Sequence, residues 1–295
     1  MTPETDMDAR LQRAASHVAA EVEQGRFKPP MLPEIAIQLS KLAAKPDVNL
    51  REVETTVSRD PAVAGRILSV ARSALYSRGA AIKSLRVAIM RIGLLEVRDI
   101  AFQLVARSSV FRVPGYSDRL RELFEAAQAS GLVARELCRL MGKESDLAYL
   151  CGLLHDIGEA IVLSIVAQWQ QHTLEPLPSV SDLRPIIDRY HGPAGAKVCS
   201  MWNLPPPIAD AAAFHHDPAS SVEPSRLSQI TACVDEALAH VGFAGNERLV
   251  DPFDNPVFLL AGLSGEQGEA LLAFTEMLME TPEAWMLSYE ESQGE

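Results

Sequence analysis

Apolar residues return every three or four positions along nearly the whole 295-residue chain, and no segment sustains the alternation of a half-buried strand. The predicted fold class is therefore all-α. Residues 33–44, "PEIAIQLSKLAA", place Pro33 at a helix start and stop before Pro46. Asn49 and Glu52 make the pattern of a capping box for the next helix. Asp60 followed by Pro61 predicts the N-cap and first position of a helix through "DPAVAGRILSVARSAL". Ser84 is placed to cap "LRVAIMRI", which Gly93 closes before "LEVRDIAFQLVA" opens another helix. The outcome is a run of short helices from about 33 to 110.

Pro114 and Gly115 in "FRVPGYSD" (111–118) mark a first joint. A long helical pattern covers about 117–141, and an apolar helical segment covers about 145–168. "LEPLPSVSD" (174–182) reads as a loop ending in an N-cap at Ser181 or Asp182. Shorter helices are expected at about 183–190, 193–202, 206–216 and 224–241. Gly242, Gly245 and Pro252 mark a second joint, and one amphipathic helix near 265–280 precedes the acidic end "YEESQGE". "ARLQRAASHVAAEVEQG" near the start reads as an amphipathic helix that packs on its own chain. Four parts are expected: a helix at 1–29, a helical lobe at 30–112, a second lobe at 113–244 and an extension at 245–295.

Charge narrows the function classes. A net charge of -12 argues against a chain built to neutralise phosphates, so nucleic acid is not an expected partner. Arg59, Arg66, Arg72, Arg78, Lys83, Arg86, Arg91 and Arg98 form a basic run that reads as a solvated helix face. Cys138, Cys151, Cys199 and Cys233 have no C-x-x-C spacing and sit in apolar helical patterns, so buried free thiols in a reducing compartment are expected. The start "MTPETDMDAR" lacks a secretory h-region. Runs such as "AIVLSIVA" and "VFLLAGL" fall short of the roughly 18 residues of a membrane span. A cytoplasmic protein without a membrane span is the expectation.

The candidate chemistry lies in "GLLHDIGEA", residues 152–160, where His155 and Asp156 interrupt an apolar stretch. His191, His215, His216 and Asp235 follow on successive predicted helices. Imidazole nitrogens and carboxylate oxygens are the donors a hydrolytic divalent-metal site uses. Any one of these histidines, taken alone, reads more readily as a core or capping residue than as a ligand. Adjacent residues of a helix point about 100° apart, so His155 and Asp156 share one ion only if it lies between their directions. A carboxylate so placed can also bridge two ions, the arrangement that clamps attacking and leaving oxygens in phosphate-ester hydrolysis. Gly152 and Gly158 beside the pair let neighbouring helices come close, which suits a sealed site and tight structural packing alike.

"LAYLCGLLHDIGEAIVL" together with "HGPAGAKVCSMWNLPPPIADAAAFHH" resembles the HD-related output domain, HDOD, a branch of the HD superfamily. "LPEIAIQLSKLAAKPDVNLREVETTVSRDPAVAGRILSVARSALY" and "IKSLRVAIMRIGLLEVRDIA" resemble that family's opening, so the likeness covers about residues 30–240. The resemblance implies a two-lobed helical domain whose C-terminal lobe is an HD-like bundle, found in bacterial signalling proteins usually without demonstrated catalysis. In catalytic relatives with a Gly-Tyr-Pro motif, the metal site begins with a His on the helix before the His-Asp pair. Here that helix reads "AAQASGLVARELCRL", with Ala129 at the expected place. The metal-ligand set the resemblance implies is then His155, Asp156, His191, His215, His216 and Asp235, for a divalent ion (Mn, Fe, Mg or Zn). After His216 the chain runs "DPASSVEPSRL", with no Gly-Tyr-Pro segment, which removes the support for cyclic-dinucleotide hydrolysis.

Two functions remain open on these residues. The first is a non-catalytic signal-transduction module acting through a protein partner, or through a nucleotide bound without turnover. It agrees with the missing first His and with the lack of a G-x-S-x-G, P-loop or dinucleotide fingerprint. The alternative is a metal-dependent phosphohydrolase using the residual HD site to activate a water.

Overall fold

The computed structural model describes residues 3–29, 32–73, 76, 82–107, 113–143, 145–173, 178–223, 226–243 and 249–282. Among them all regular structure is helical, as the three-to-four-residue periodicity predicts. The chain divides into two compact units, Pro30–Ser109 and the combination of Met1–Pro29 with Val110–Glu295.

The unit at 30–109 contains α2 (Glu34–Ala43), α3 (Leu50–Ser58), α4 (Pro61–Arg72), α5 (Leu85–Ile92) and α6 (Leu94–Val105). Its helix starts are local chemistry. Asp60 accepts hydrogen bonds from the backbone N–H of Ala62 and Val63, with Pro61 at the first helical position. Ser84 accepts from Val87 N–H. Gly93, at φ +87°, ends α5 and starts α6 in a conformation that disfavours side chains. Asn49 caps α3 through Arg51 N–H, but Glu52 pairs with Lys45 at 3.0 Å instead of completing a capping box. Leu39, Val53, Val57, Ile67, Ile89 and Val97 fill the core between these helices.

The basic run is not one solvated face. Arg98 is buried and holds Asp99 through Nε and Nη2, and Arg86 pairs with Glu54. Arg59, Arg72 and Lys83 are exposed, and Arg78 lies outside the described residues.

The other unit is built from α1 (Pro3–Gln24), α7 (Ser117–Leu140), α8 (Ala148–Leu154), α9 (Ile157–Thr173), α10 (Val180–Met201) and α11 (Pro206–Phe214). A 3₁₀ turn at Pro218–Ser220, α12 (Leu227–His240), α13 (Pro256–Ala261) and α14 (Gly265–Glu280) complete it. α1 packs on α9 and α10, burying Ala14, Val18 and Val22 at the helical spacing of four. α14 packs on α7 and α12, and Gln267 Nε2 donates to the Leu140 carbonyl at the end of α7. All four cysteines are free and buried, and burial pushes Cys138 up to about 11 and Cys199 to about 12.

Four expectations change. The helices expected at 183–190 and 193–202 are one helix, α10, which runs through Pro185 and Pro193. Each proline removes one backbone donor, and packing on α9 and α11 carries the helix across both. Its N-cap is Ser179, with Asp182 at the third position completing a capping box, and neither Ser181 nor Asp182 is the cap. The apolar segment at 145–168 breaks at a turn occupied by His155 and Asp156, with α8 before it and α9 after. By composition alone Ala148–Thr173 is apolar enough to cross a membrane, contrary to the shorter runs read from the sequence. Its most apolar window is 89% buried inside this unit, as befits a core element.

The break is where the helices come closest. A Cβ on Gly158 would overlap the carbonyl of His191, and one on Gly152 would overlap the carbonyl of Ser130. Only glycine permits these approaches, so α9 touches α10, and α8 touches α7, backbone to backbone.

Candidate metal centre

Four separate elements bring the six sequence-predicted donors together. The α8–α9 turn presents His155 and Asp156, α10 presents His191, the end of α11 presents His215 and His216, and α12 presents Asp235. His155 keeps helical backbone angles (φ −59°, ψ −41°) at the junction where the two helices meet. His155, His191 and His215 are buried, Asp156 and Asp235 are about a third exposed, and His216 stands at the solvent edge.

Each buried imidazole is oriented by a helical carbonyl. His155 Nδ1 lies 2.7 Å from Gly152 O, and His191 Nδ1 lies 2.8 Å from Ile187 O. His215 Nδ1 lies 3.1 Å from both Ala211 O and Ala212 O. A carbonyl only accepts, so Nδ1 carries the proton in all three rings and Nε2 points inward. That arrangement of a backbone acceptor behind the ring is the usual support of a metal-ligating histidine.

The inward nitrogens meet carboxylates and one another. Asp156 Oδ2 is 3.3 Å from His155 Nε2, and its Oδ1 is 3.2 Å from His215 Nε2 and 3.6 Å from His191 Nε2. Asp235 Oδ1 is 3.1 Å from His155 Nε2. Two donor groups result, Asp156 with His191, His215 and His216, and His155 with His215 and Asp235, each with ligating atoms within 4.8 Å of one another. His191 Nε2 and His215 Nε2 face each other at 3.2 Å. With both Nδ1 atoms donating elsewhere, two neutral rings would oppose lone pair to lone pair, so a proton or a cation belongs between them. The donor set therefore fits a divalent ion.

The electrostatics agree. Burial lowers His155, but the carboxylates of Asp156 and Asp235 outweigh it and hold the imidazolium well above its ordinary range. Burial raises Asp156, but His155 and then His215 outweigh it and hold the carboxylate well below its ordinary range. Burial and the neighbouring His215 push His216 down to about 4, which leaves that ring neutral with a lone pair to offer.

A cavity of about 490 Å³ opens over this cluster. α7 lines it with Arg119, Leu123, Ala126, Ala127 and Ser130. Ala129, where the resemblance placed the lost first histidine, is fully buried and does not line the cavity. The small residues with which α7 lines the cavity are Ala126, Ala127 and Ser130.

One pair in this cavity escaped the sequence reading. Arg119 Nε donates to Glu159 Oε1 at 2.6 Å, and Nη2 donates to Oε2 at 2.9 Å. Glu159 is 5% exposed, so the carboxylate of "HDIGEA" is neutralised inside the protein. An acid in an apolar stretch signals a buried partner, but nothing in the sequence says that it stands forty residues earlier.

The profile of the HDOD domain matches residues 30–218. An uncharacterized protein of Treponema pallidum (strain Nichols) is 24% identical over 215 residues, 70% of this chain. The chain spans 41% of that curated relative's length. Among solved structures, an HDOD domain protein of unknown function from Geobacter sulfurreducens superposes with a TM-score of 0.71 at 21% identity, covering 96% of this chain and 99% of that one. A candidate signal transduction protein from Marinobacter aquaeolei VT8 gives 0.66 at 19% identity, covering 97% and 65%. A candidate metal-dependent phosphohydrolase from Shewanella amazonensis SB2B gives 0.63 at 20%, covering 90% and 99%. At these identities the likeness is one of fold.

Proposed function

The chain belongs to the HDOD family, and on that footing we propose that it is a regulatory signal-transduction module that retains a divalent-metal site and works without turnover. His155, Asp156, His191, His215, His216 and Asp235 would hold the ion. Its partner is a signalling protein, met through the helical surface. The observation that carries this reading is the convergence of Nε2 atoms and carboxylates beneath a cavity wall that supplies no ligand. On α7 that wall is Arg119, Leu123, Ala126, Ala127 and Ser130, none of which appears in either donor group. The donors come from the α8–α9 turn, α10, the end of α11 and α12, and none comes from α7.

A second reading, metal-dependent phosphoester hydrolysis, is favoured by the open cavity and by the cationic Arg119 in its wall. A bound ion there would supply Lewis-acid stabilisation and activation of water. Asp156 faces His155 through one oxygen and His215 through the other, which suits it to orient a proton or to bridge.

Turnover of a generic phosphodiester by the Mn²⁺-supplemented protein separates the two. The regulatory reading expects no turnover above that of the Asp156→Ala variant. Hydrolysis by the wild type that Asp156→Ala abolishes would replace it with the hydrolase.

A further inference from the structure

The cavity has a wall that the metal cluster does not use. α12, on the turns beyond Asp235, lines it with Leu238 and Ala239, and Phe243 follows just past the helix end. α13 adds Val257. These residues lie after position 218, where the match to the HDOD profile ends. The wall is held in place by specific bonds. Asn255 caps α13 by accepting from Val257 and Phe258 N–H, while its Nδ2 donates to Glu236 at 3.0 Å. Cys233 Sγ–H reaches the Val257 carbonyl at 3.7 Å. Glu236 is the neighbour of Asp235, so the start of α13 is tied to the helix that carries a metal donor.

Other elements give the cavity its polar side. Arg119 spends Nε and Nη2 on Glu159, and its Nη1 comes no closer than 3.6 Å to Glu122. Arg184 lines the cavity from α10, paired with Asp188 at 2.8 Å. A volume of about 490 Å³ lies within the range of small-molecule sites, which combine apolar walls with a few converging polar groups.

We propose that Leu238, Phe243 and Val257 form a subsite for the planar apolar body of a phosphate monoester whose phosphate sits between the metal centre and Arg119. This deepens the metal-site reading above and rests on it. The ligand is the small-molecule input of the module, and the chain beyond the family-matched segment sets which body is accepted. A monoester suits the polar side because its terminal oxygens exceed what one ion takes, leaving oxygen for the Arg119 Nη1 donors.

Two non-hydrolysable probes test it, phenylphosphonate and methylphosphonate, titrated calorimetrically into the 295-residue chain whose Mn²⁺ content has been measured. Wild type should prefer phenylphosphonate by about tenfold, from the phenyl area removed from water. Phe243→Ala should bring the two probes to near equal affinity with methylphosphonate binding and Mn²⁺ content unchanged. Phe243→Leu should retain part of the preference, and Phe253→Ala, an exposed aromatic outside the cavity lining, should retain all of it. Bound Mn²⁺ with equal affinity for both probes in the wild type would overturn the subsite and leave the metal reading standing. Absence of bound Mn²⁺ would remove the metal reading, and the subsite with it.

Discussion

The two units use the same material, short amphipathic helices, for opposite ends. In the unit at 30–109, the core of Leu39, Val53, Ile67, Ile89 and Val97 is apolar, and the adjacent residues Arg98 and Asp99 are buried as an ion pair. In the other unit His155, Glu159, His191 and His215 are buried beside glycines that bring helix backbones into contact. Apart from that pair, the first arrangement is what the hydrophobic effect would build. The second spends stability to bring polar groups together, and such a cost is the physical mark of a site.

Substitutions can sharpen that contrast. The largest effect is expected from Ile67→Ala, which empties a fully buried position in the apolar unit. It should cost roughly 2–5 kcal/mol in urea denaturation of the 30–109 unit, with metal content of the folded protein unchanged. Loss of metal in this variant would contradict the separation of roles. Gly158→Ala should cost about 3 kcal/mol, since α9 and α10 must part to admit the methyl, and it should release the metal as His191 moves away. A Gly158→Ala protein with wild-type stability would show that the close approach is not needed.

Ala126→His places an imidazole on the α7 face that lacks a ligand, and should tighten Mn²⁺ binding by about tenfold, equal to about 1.4 kcal/mol. The same substitution at Ala129, buried away from the cavity, should destabilise the fold without tightening Mn²⁺ binding. Smallest is Gly65→Ala, on the exposed side of α4 with nothing within 4 Å of the new methyl. It should stabilise by about 0.5–1 kcal/mol, because this glycine has helical backbone and no close neighbour. A glycine in each unit thus responds with opposite sign.

The contrast also explains what could be read before the structure. Asp60, Ser84 and Gly93 act through neighbours within four residues, so the helix starts of the apolar unit were legible in the sequence. The continuity of α10 through Pro185 and Pro193 was not, because distant helices hold it against the local preference of proline. The family resemblance named the six donors, and their residue types predicted ligand chemistry. Their distances depend on four elements meeting, and the α8–α9 break at His155 and Asp156 is hidden because apolar residues continue on both sides of the pair. Arg119 pairs with Glu159 across forty residues, and the α7 face turns Ala126 and not Ala129 to the cavity. Both facts are set by helix rotation in the packed unit, which periodicity alone does not fix to one residue.

The most direct test of the account is metal analysis of protein purified without chelator, wild type beside Asp156→Ala, with circular dichroism on both. The account predicts a divalent ion in stoichiometric amount in the wild type and its loss in Asp156→Ala, with the helical signal retained in each. A folded wild type that carries no ion and takes up none from added Mn²⁺ would contradict it.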